Sequence, residues 1–183
     1  MEQSGSRRAF IGFGANLGDT LATYATAKAI LIERLGPIRG ESLVYESAAL
    51  TLDGAESQSN YINTALEFFT PLSPQEILAI LLETELVFGR DRRLAERWAP
   101  RPIDLDLLFV GDLVLSDTGL SLPHPEIHKR DFVLAPLCDI APDFIHPELG
   151  VSLVELERTL EGRGFERLIN VSGYKAPSAA RRA

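Results

Sequence analysis

Apolar segments of two kinds succeed each other in a fixed order between residues 9 and 110. Some are short, with apolar residues at every second position, and two are longer, with apolar residues at helical spacing. Strands are predicted at about residues 9–14, 38–46, 61–69 and 103–110, and helices at about 21–35 and 74–88. The order β-α-β-β-α-β is that of the split βαβ, or ferredoxin-like, arrangement. The predicted fold class is therefore α+β, with an antiparallel sheet and both of these helices on one face.

The segment after residue 110 is predicted to cover the other face of the sheet, so that helices lie on both. Gly111 and Asp112 are typical of a tight turn, which predicts a hairpin into residues 113–115. Further elements are predicted as helices at 132–140 and 153–161 and a strand at 165–171. We expect a single domain over residues 7–172, with flexible tails at 1–6 and 173–183.

The charge of the chain is distributed unevenly. Its net charge is −8, whereas residues 90–101 contain five arginines and two acidic residues. A negative protein is repelled by nucleic acid and by anionic membranes, so we expect neither as a partner. A phosphate site would therefore have to be local, and the arginine-rich segment is the candidate for it.

Cysteine content and hydropathy bear on the compartment. Cys138 is the only cysteine, which excludes an internal disulfide and suits a reducing environment. The first eight residues are polar, and no apolar run approaches the roughly 20 residues that a membrane span needs. We expect a cytoplasmic protein.

Two carboxylates, Asp104 and Asp106, lie in the predicted strand that follows the arginines. Residues two apart in a strand point to the same face, so both carboxylates face one way. Neighbouring carboxylates repel each other unless a cation lies between them, and Mg²⁺ together with arginine is typical of sites that handle a nucleotide polyphosphate. An acidic, solvated edge strand explains the same spacing. Spacing alone leaves both interpretations open.

Glycine and histidine motifs suggest two further sites that the sequence supports less well. Residues 12–18 nearly match a dinucleotide-binding fingerprint, but the last spacing is one residue too long, and glycines that permit a tight turn between strand and helix are preferred. His124 and His128 suggest zinc, but Pro125 separates them and no third ligand stands out. His124 could instead donate a hydrogen bond to phosphate, or be an ordinary loop residue.

Trp98, among the arginines, either shields part of the core or covers a site as part of a lid. An arginine-rich loop on this fold could also bind single-stranded RNA. RNA-binding domains of this kind carry aromatic residues on their central strands, which residues 10–13 do not reproduce.

Five motifs in register resemble those of the 6-hydroxymethyl-7,8-dihydropterin pyrophosphokinase family. They are GFGANLGD at residues 12–19, YINTA at 61–65, RWAPRPIDLDLL at 97–108, PHP at 123–125 and RDFVLAPL at 130–137. The resemblance covers about residues 9–147. It implies an Mg²⁺-dependent enzyme that transfers diphosphate from ATP to the hydroxymethyl group of the pterin and releases AMP, as a step of folate biosynthesis.

The resemblance also implies roles for individual residues. Asp104 and Asp106 would bind two Mg²⁺ ions, and Arg90 and Arg101 would stabilise the phosphates during transfer. The remaining residues would contact the two substrates, ATP through Arg97, Trp98, His124, Arg130 and Glu85, and the pterin through Tyr61, Asn63 and Phe132. We expect a monomer whose partners are these two small molecules.

Three features depart from the family pattern. Ala99 stands where glycine is more usual, which should stiffen the loop slightly. The loop from Gly89 to Trp98 is one residue longer than in a common form, so that either Arg92 or Arg93 could match an arginine that contacts ATP. Residues 47–50 replace a loop that usually carries threonine, proline and glycine. We expect the loops at 47–59 and 90–101 to close over bound substrates.

Overall fold

The computed structural model describes residues 5–49, 58–93, 99–160 and 169–170. Its central sheet has six strands in the order β5-β1-β4-β3-β8, and β2 also pairs with β4. The strands of this sheet are β1 (Arg7–Ala15), β2 (Ile38–Glu41), β3 (Tyr45–Ser47), β4 (Tyr61–Thr70), β5 (Asp104–Val110) and β8 (Ile169–Asn170). A separate two-stranded ribbon consists of β6 (Leu115–Asp117) and β7 (Leu120–Leu122).

Strand β1 lies between β4 and the edge strand β5 and is antiparallel to both. The first crossover runs through α1 (Thr20–Leu35) and the second, from β4 to β5, through α2 (Pro74–Val87). Because β1 separates β4 from β5, the second βαβ unit is split. The prediction of a ferredoxin-like α+β fold is confirmed.

Two apolar clusters lie on opposite faces of the sheet. Alternate residues of β1, such as Ile11 and Phe13, pack with α1 and α2, whereas Phe10 packs with α3 (Asp131–Ile140) and α4 (Leu153–Leu160). This division follows from the two-residue period of a strand. The prediction of helices on both faces is confirmed.

Capping side chains begin three of the four helices, as the sequence indicates. Asp19 accepts a hydrogen bond from the Ala22 N–H at the start of α1. Ser73 with Glu76 forms a complete capping box on α2, and Ser152 with Glu155 does the same before α4. Each box satisfies N–H groups that the first helical turn leaves without partners.

The strand predicted at residues 38–46 is divided into β2 and β3. Between them Ser42 continues to pair with β4, because its N–H donates to the Ala65 carbonyl and its Oγ accepts from the Ala65 N–H. Leu43 turns away, and its N–H donates to Asp139 of α3. A serine side chain that replaces a backbone partner therefore interrupts the strand.

The hairpin predicted after residue 110 is wrong. The Leu113 N–H donates to the Val110 carbonyl and closes a turn, but the chain does not return along β5. Leu113 and Leu115 instead pack against the apolar cluster beside α1 and α2, and the hairpin forms between β6 and β7. Burial of these two leucines outweighs the local turn preference.

Two further predictions are covered only in part. Of the strand predicted at 165–171, Ile169–Asn170 pairs with Tyr45 and Glu46 as β8, and the rest lies outside the described residues. Among the helices that the structure describes, none has the length and apolar character required to cross a membrane.

Leu31 and Ile32 are adjacent on α1 and offer a matched test of the core. Leu31 is fully buried, whereas Ile32 is 41% exposed. We expect Leu31→Ala to lower the free energy of unfolding by about 2–5 kcal/mol, because it leaves a cavity. Ile32→Ala should cost less than about 1 kcal/mol. Urea unfolding followed by circular dichroism measures both, and equal losses would contradict the assigned helix orientation.

Candidate active site

Two glycines of β1 form the floor of a pocket on the sheet face that α3 covers. Gly14 pairs with Asp104 on one side and with Asn63 on the other, and Gly12 pairs with Asp106. A Cβ atom on Gly14 would lie 3.6 Å from Asn63 Oδ1 and 3.8 Å from Asp104 Cβ. The absence of this atom leaves open space between the carboxylates on β5 and the amide on β4.

The preferred interpretation of these glycines as turn residues is therefore wrong. Gly12 and Gly14 lie within β1, and it is Gly18, with a φ of 75°, that occupies the turn into α1. Glycine at these two positions leaves the backbone open beneath the pocket, which a strand-to-helix motif alone does not reveal.

The pocket has a volume of about 270 Å³. Its walls are formed by strand ends, by the start of α3, by Ser47 at the end of β3 and by Ala48 after it. The site residues predicted from the sequence that line it are Tyr61, Asn63, Arg101, Asp104, Asp106, Arg130 and Phe132. Arg97 and Trp98 lie outside the described residues.

Asp104 lies between two arginines. Arg101 Nη1 donates to Oδ2 at 2.7 Å, and Arg90 Nη1 makes a short contact with Oδ1 and also donates to the Ile103 carbonyl at 2.6 Å. Burial opposes ionisation of Asp104, but the two guanidinium groups outweigh it and lower the pKa of this carboxyl. Asp104 is therefore a fixed anion at the edge of the pocket.

Asp106 is in a different electrostatic environment although it lies on the same strand face. Burial and the adjacent charge of Asp104 raise its pKa. Within the described parts of the chain, only Arg92 comes within ion-pair distance of it, at 3.5 Å. A carboxylate pair with one incompletely neutralised member is suited to a hard cation.

Glu85 lies behind the carboxylate pair and is wholly buried. Its Oε1 accepts from the Leu105 N–H at 2.7 Å and from Arg90 at 3.2 Å, and both of its oxygens accept from Arg92. These contacts connect the last turn of α2 to β5 and hold two arginines. Glu85 does not line the pocket, so its carboxylate acts on the site through the arginines.

The structure distinguishes Arg92 from Arg93, whereas the sequence leaves open which of them matches the ATP-contacting arginine of the family. Arg92 contacts Glu85 and approaches both aspartates of the pair, whereas Arg93 pairs with Asp91 and its side chain is 85% exposed. Of these two arginines, only Arg92 is part of the charged network around the pocket.

Arg130 and Phe132 contribute from the start of α3, and Tyr61 and Asn63 from β4. The guanidinium carbon of Arg130 is 5.8 Å from the centre of the Phe132 ring. Asn63 Nδ2 donates to Ser47 Oγ at 2.9 Å, which fixes the amide beside the floor. Burial raises the pKa of Tyr61 despite the nearby positive charge of Arg101. Tyr61 is thus a neutral phenol at the pocket wall.

His124 stands beside the pocket rather than in its lining. Its backbone N–H donates to the Leu108 carbonyl at 3.0 Å, and its Nδ1 accepts from the Glu126 N–H at 3.3 Å. Burial lowers the pKa of His124, against the pull of Asp106. With Nδ1 as acceptor, the neutral ring carries its proton on Nε2 and can donate a hydrogen bond. No zinc cluster with His128 is found, since the described residues contain no group of three metal-binding side chains.

Asn16 connects three segments around the pocket, a role that its turn-forming character does not predict. Its Oδ1 accepts from the Arg101 N–H at 2.8 Å, and its own N–H donates to the Arg101 carbonyl at 3.1 Å. Its Nδ2 donates to the Ser59 carbonyl at 3.2 Å. Such contacts span more than 40 residues, and no local pattern encodes them.

Asp104 and Asp106 are the residues that could hold Mg²⁺. They supply carboxylate oxygens from one strand face, and the described residues add no third acidic, histidine or cysteine ligand. Mg²⁺ commonly binds to one or two carboxylates and completes its shell with water and substrate phosphates. The donor set fits this kind of site.

Comparison with known proteins identifies similar sequences over most of the chain. The sequence model of a family described as 7,8-dihydro-6-hydroxymethylpterin-pyrophosphokinase matches residues 10–142. A 2-amino-4-hydroxy-6-hydroxymethyldihydropteridine pyrophosphokinase of Synechocystis sp. is 39% identical over 150 residues, covering 81% of this chain and 73% of the relative. A protein of the same name from Aquifex aeolicus is 39% identical over 138 residues, covering 75% of this chain and 82% of the relative.

A solved structure supports the fold. The crystal structure of Plasmodium falciparum HPPK-DHPS matches 89% of this chain with a TM-score of 0.70 and 15% sequence identity. The match covers 46% of that chain, so this protein spans less than half of its length.

Asn16→Ala tests the connection between the three segments. We expect it to lower the free energy of unfolding by about 1–3 kcal/mol, because it leaves the Arg101 N–H without its acceptor. Asn60→Ala is the matched control, since Asn60 is exposed and bonds only to Glu46 among the described contacts. The control should change stability by less than about 0.5 kcal/mol. Urea unfolding gives the two values, and faster hydrogen exchange at Arg101 in Asn16→Ala alone would localise the effect.

Proposed function

The chain belongs to the 7,8-dihydro-6-hydroxymethylpterin-pyrophosphokinase family, and we propose that the pocket between β1, β5 and α3 is the site at which it transfers diphosphate from ATP to 6-hydroxymethyl-7,8-dihydropterin. The protein is an enzyme of folate biosynthesis that uses ATP as co-substrate. The observation that carries the assignment of the pocket is that it has two chemically different ends. One is charged and suits a polyphosphate, and the other is aromatic and amide-lined and suits a flat heterocycle.

The aromatic end is proposed to bind the pterin. Tyr61 and Phe132 supply ring faces from β4 and α3, and Asn63 supplies an amide that can read the polar edge of the heterocycle. Ring stacking suits a flat ligand, and an amide that is already held by Ser47 loses little freedom on binding. Ser47 and Ala48 line this end although they depart from the usual family sequence, so we propose that they contact the pterin as well.

The charged end is proposed to hold the phosphates. Arg101 lines the pocket, and Arg90 is held behind Asp104 by Glu85 and the Ile103 carbonyl. In the transfer, the hydroxymethyl oxygen bonds to the β-phosphorus of ATP and loses its proton to solvent, the bond from that phosphorus to the α-phosphate oxygen breaks, and AMP leaves. Fixed guanidinium groups stabilise the charge that develops on the moving group, because they need no rearrangement at that moment.

Asp104 and Asp106 are proposed to bind Mg²⁺, which when present neutralises phosphate charge and orients the polyphosphate. The proposal is supported by the raised pKa of Asp106, which burial and the like charge of Asp104 produce and a bound cation would relieve.

The remaining contacts with ATP are assigned to residues around the charged end. Arg130 lines the pocket, and His124 can donate from Nε2 beside it. Arg97 and Trp98 keep the roles that the family resemblance gives them. Closure of the loops at 47–59 and 90–101 stays a prediction from their length and polarity. We propose that Glu85 serves the nucleotide indirectly by positioning Arg90 and Arg92, since its carboxylate is fully buried.

We propose a cytoplasmic monomer that does not bind nucleic acid. The net charge of −8 supports the absence of a nucleic-acid partner. Burial, with the nearby charge of Glu157, raises the pKa of the Cys138 thiol to about 12, so this cysteine is unreactive and requires no oxidising compartment. The monomeric state stays a prediction from the sequence.

Release of AMP from ATP tests the function directly. With Mg²⁺ present, we expect AMP to form only when 6-hydroxymethyl-7,8-dihydropterin is added, in equal amounts with the pterin diphosphate. Chromatographic quantitation of nucleotides with and without the pterin provides the measurement. AMP formation that is independent of the pterin would exclude the proposed reaction, as would release of ADP in place of AMP.

Asp106→Asn tests the assignment of the carboxylate pair. We expect kcat/KM to fall at least about a hundredfold, because one charged metal ligand is lost where charge must be neutralised. Asp112→Asn makes the same change of charge at an exposed position beyond the other end of β5 and should leave kcat/KM unchanged within about twofold. Steady-state kinetics on both variants, with circular dichroism to confirm folding, decides the point. Full activity in folded Asp106→Asn would remove this aspartate from the site.

A further inference from the structure

Arg92 reaches both members of the carboxylate pair with a single nitrogen atom. Its Nη2 lies 3.4 Å from Asp104 Oδ1 and 3.5 Å from Asp106 Oδ1, and it donates to the Leu105 carbonyl between them at 2.8 Å. A positive charge therefore lies next to one oxygen of each carboxylate, and these are the residues that would hold a metal ion. Two cations close to the same pair of oxygens repel each other.

The position of Arg92 is set from behind by Glu85. Nε donates to Oε2 at 2.7 Å and Nη2 to Oε1 at 2.8 Å, which is the two-pronged geometry of a strong arginine–carboxylate pair. Glu85 is fully buried and is itself held by the Leu105 N–H. These contacts hold the guanidinium beside the carboxylates in the ligand-free structure.

The contacts with the aspartates are the weaker part of this arrangement. Distances of 3.4 and 3.5 Å are long for a charge-assisted hydrogen bond, whereas those to Glu85 are short. The Arg92 side chain is also 38% exposed, so it has a path into solvent. Asp104 would keep Arg90 and Arg101 if Arg92 moved, and Asp106 would be left for another cation.

We propose that Arg92 acts as a resident cation that takes the place of the metal in the ligand-free enzyme and withdraws from Asp104 and Asp106 when a divalent ion binds. This inference rests on the proposed function, because it takes the carboxylate pair as the metal site. A single charge is exchanged for a double one, and the displaced guanidinium is free to bind an anionic group. Arg92 is a positioning residue in this sense, since it acts on the metal through the two carboxylates.

The exchange predicts coupling between metal and nucleotide. A metal ion that arrives alone must displace Arg92 without giving it a new partner, so its affinity for the empty enzyme is lowered. A metal ion that arrives with a polyphosphate supplies phosphate oxygens to which the released guanidinium can donate. The metal ion and the polyphosphate both favour the withdrawn position of Arg92 over its position on the carboxylate pair. Each ligand therefore increases the affinity for the other.

Arg92→Gln and Arg93→Gln form a matched pair for the test. Both remove one positive charge from neighbouring positions, but only Arg92 contacts the carboxylate pair. Mn²⁺ serves as the probe, and the free ion is measured by electron paramagnetic resonance in the absence of nucleotide and pterin. We expect Arg92→Gln to bind Mn²⁺ about tenfold more tightly than wild type, given the interaction of charges a few ångströms apart near a protein surface. Arg93→Gln should differ from wild type by less than about twofold, as expected for an exposed and screened charge.

The location of the bound ion is tested by a second variant and a second measurement. Adding Asp106→Asn to Arg92→Gln should abolish the gained affinity. Mg²⁺ alone should also raise the thermal unfolding temperature of Arg92→Gln more than that of wild type, since it replaces the lost charge at the pair. A Mn²⁺ affinity of Arg92→Gln that does not exceed that of Arg93→Gln overturns the proposal, and so does a gain that survives loss of Asp106.

Arg92→Lys carries the test if Arg92→Gln fails to fold. Lysine keeps the charge but has no planar fork with which to hold Glu85 and reach the carboxylates together. Its Mn²⁺ dissociation constant should fall at least about threefold below that of wild type, because the resident charge is less firmly placed. An unchanged constant overturns the proposal. These measurements contain neither substrate, so their failure is distinct from a failure to produce AMP, which concerns the reaction.

Discussion

Repulsion between Asp104 and Asp106 is the constraint on which the surrounding structure depends. Their carboxylates share one face of β5, and neither could remain ionised and buried without nearby positive charge. Among the described residues, three carboxylates are balanced there by three guanidinium groups, namely Asp104, Asp106 and Glu85 by Arg90, Arg92 and Arg101. The balance is local, since the chain as a whole carries a net charge of −8. A polyphosphate bound there would add negative charge, which the proposed Mg²⁺ would offset.

The split βαβ topology makes this arrangement possible because it places β1 between the strands that carry the functional side chains. Gly12 and Gly14 of β1 separate the aspartates of β5 from Asn63 and its neighbours on β4. Side chains at these two positions would fill the gap, whereas glycine turns it into the floor of a pocket that spans three strands. The charged side chains of β5 and the polar and aromatic side chains of β4 thus lie on either side of the β1 backbone.

Features encoded by local periodicity could be predicted from the sequence, and those encoded by distant contacts could not. The alternation in β5 places Asp104 and Asp106 on one face, and Ser73 with Glu76 marks the start of α2, so both could be read directly. Asn16 and Glu85 function through partners that are distant in the chain, and a polar residue in a turn or at the end of a helix has many structural explanations. The predicted hairpin after Gly111 was wrong for the same reason, because the turn forms but tertiary packing of Leu113 and Leu115 directs the chain away from β5. The order of the strands and helices was predicted correctly because many residues determine it. A site depends on only a few residues, so a single missed contact changes its description.

A buried network of charges is seldom the most stable way to fill a protein interior, and apolar residues of similar size often serve stability as well or better. The network around Glu85 must therefore be explained by what an apolar replacement could not do. An apolar residue at position 85 would remove the carboxylate that Arg90 and Arg92 share and leave the Leu105 N–H without an acceptor, and the arginines would then turn towards solvent or towards the aspartates. Because Glu85 competes with Asp104 and Asp106 for the same guanidinium groups, it limits how tightly the arginines bind the aspartates. A carboxylate pair whose charge is neutralised, but whose oxygens are not all bound by arginine, remains able to bind another cation. Glu85 maintains this state because it holds part of the arginine hydrogen bonding for itself.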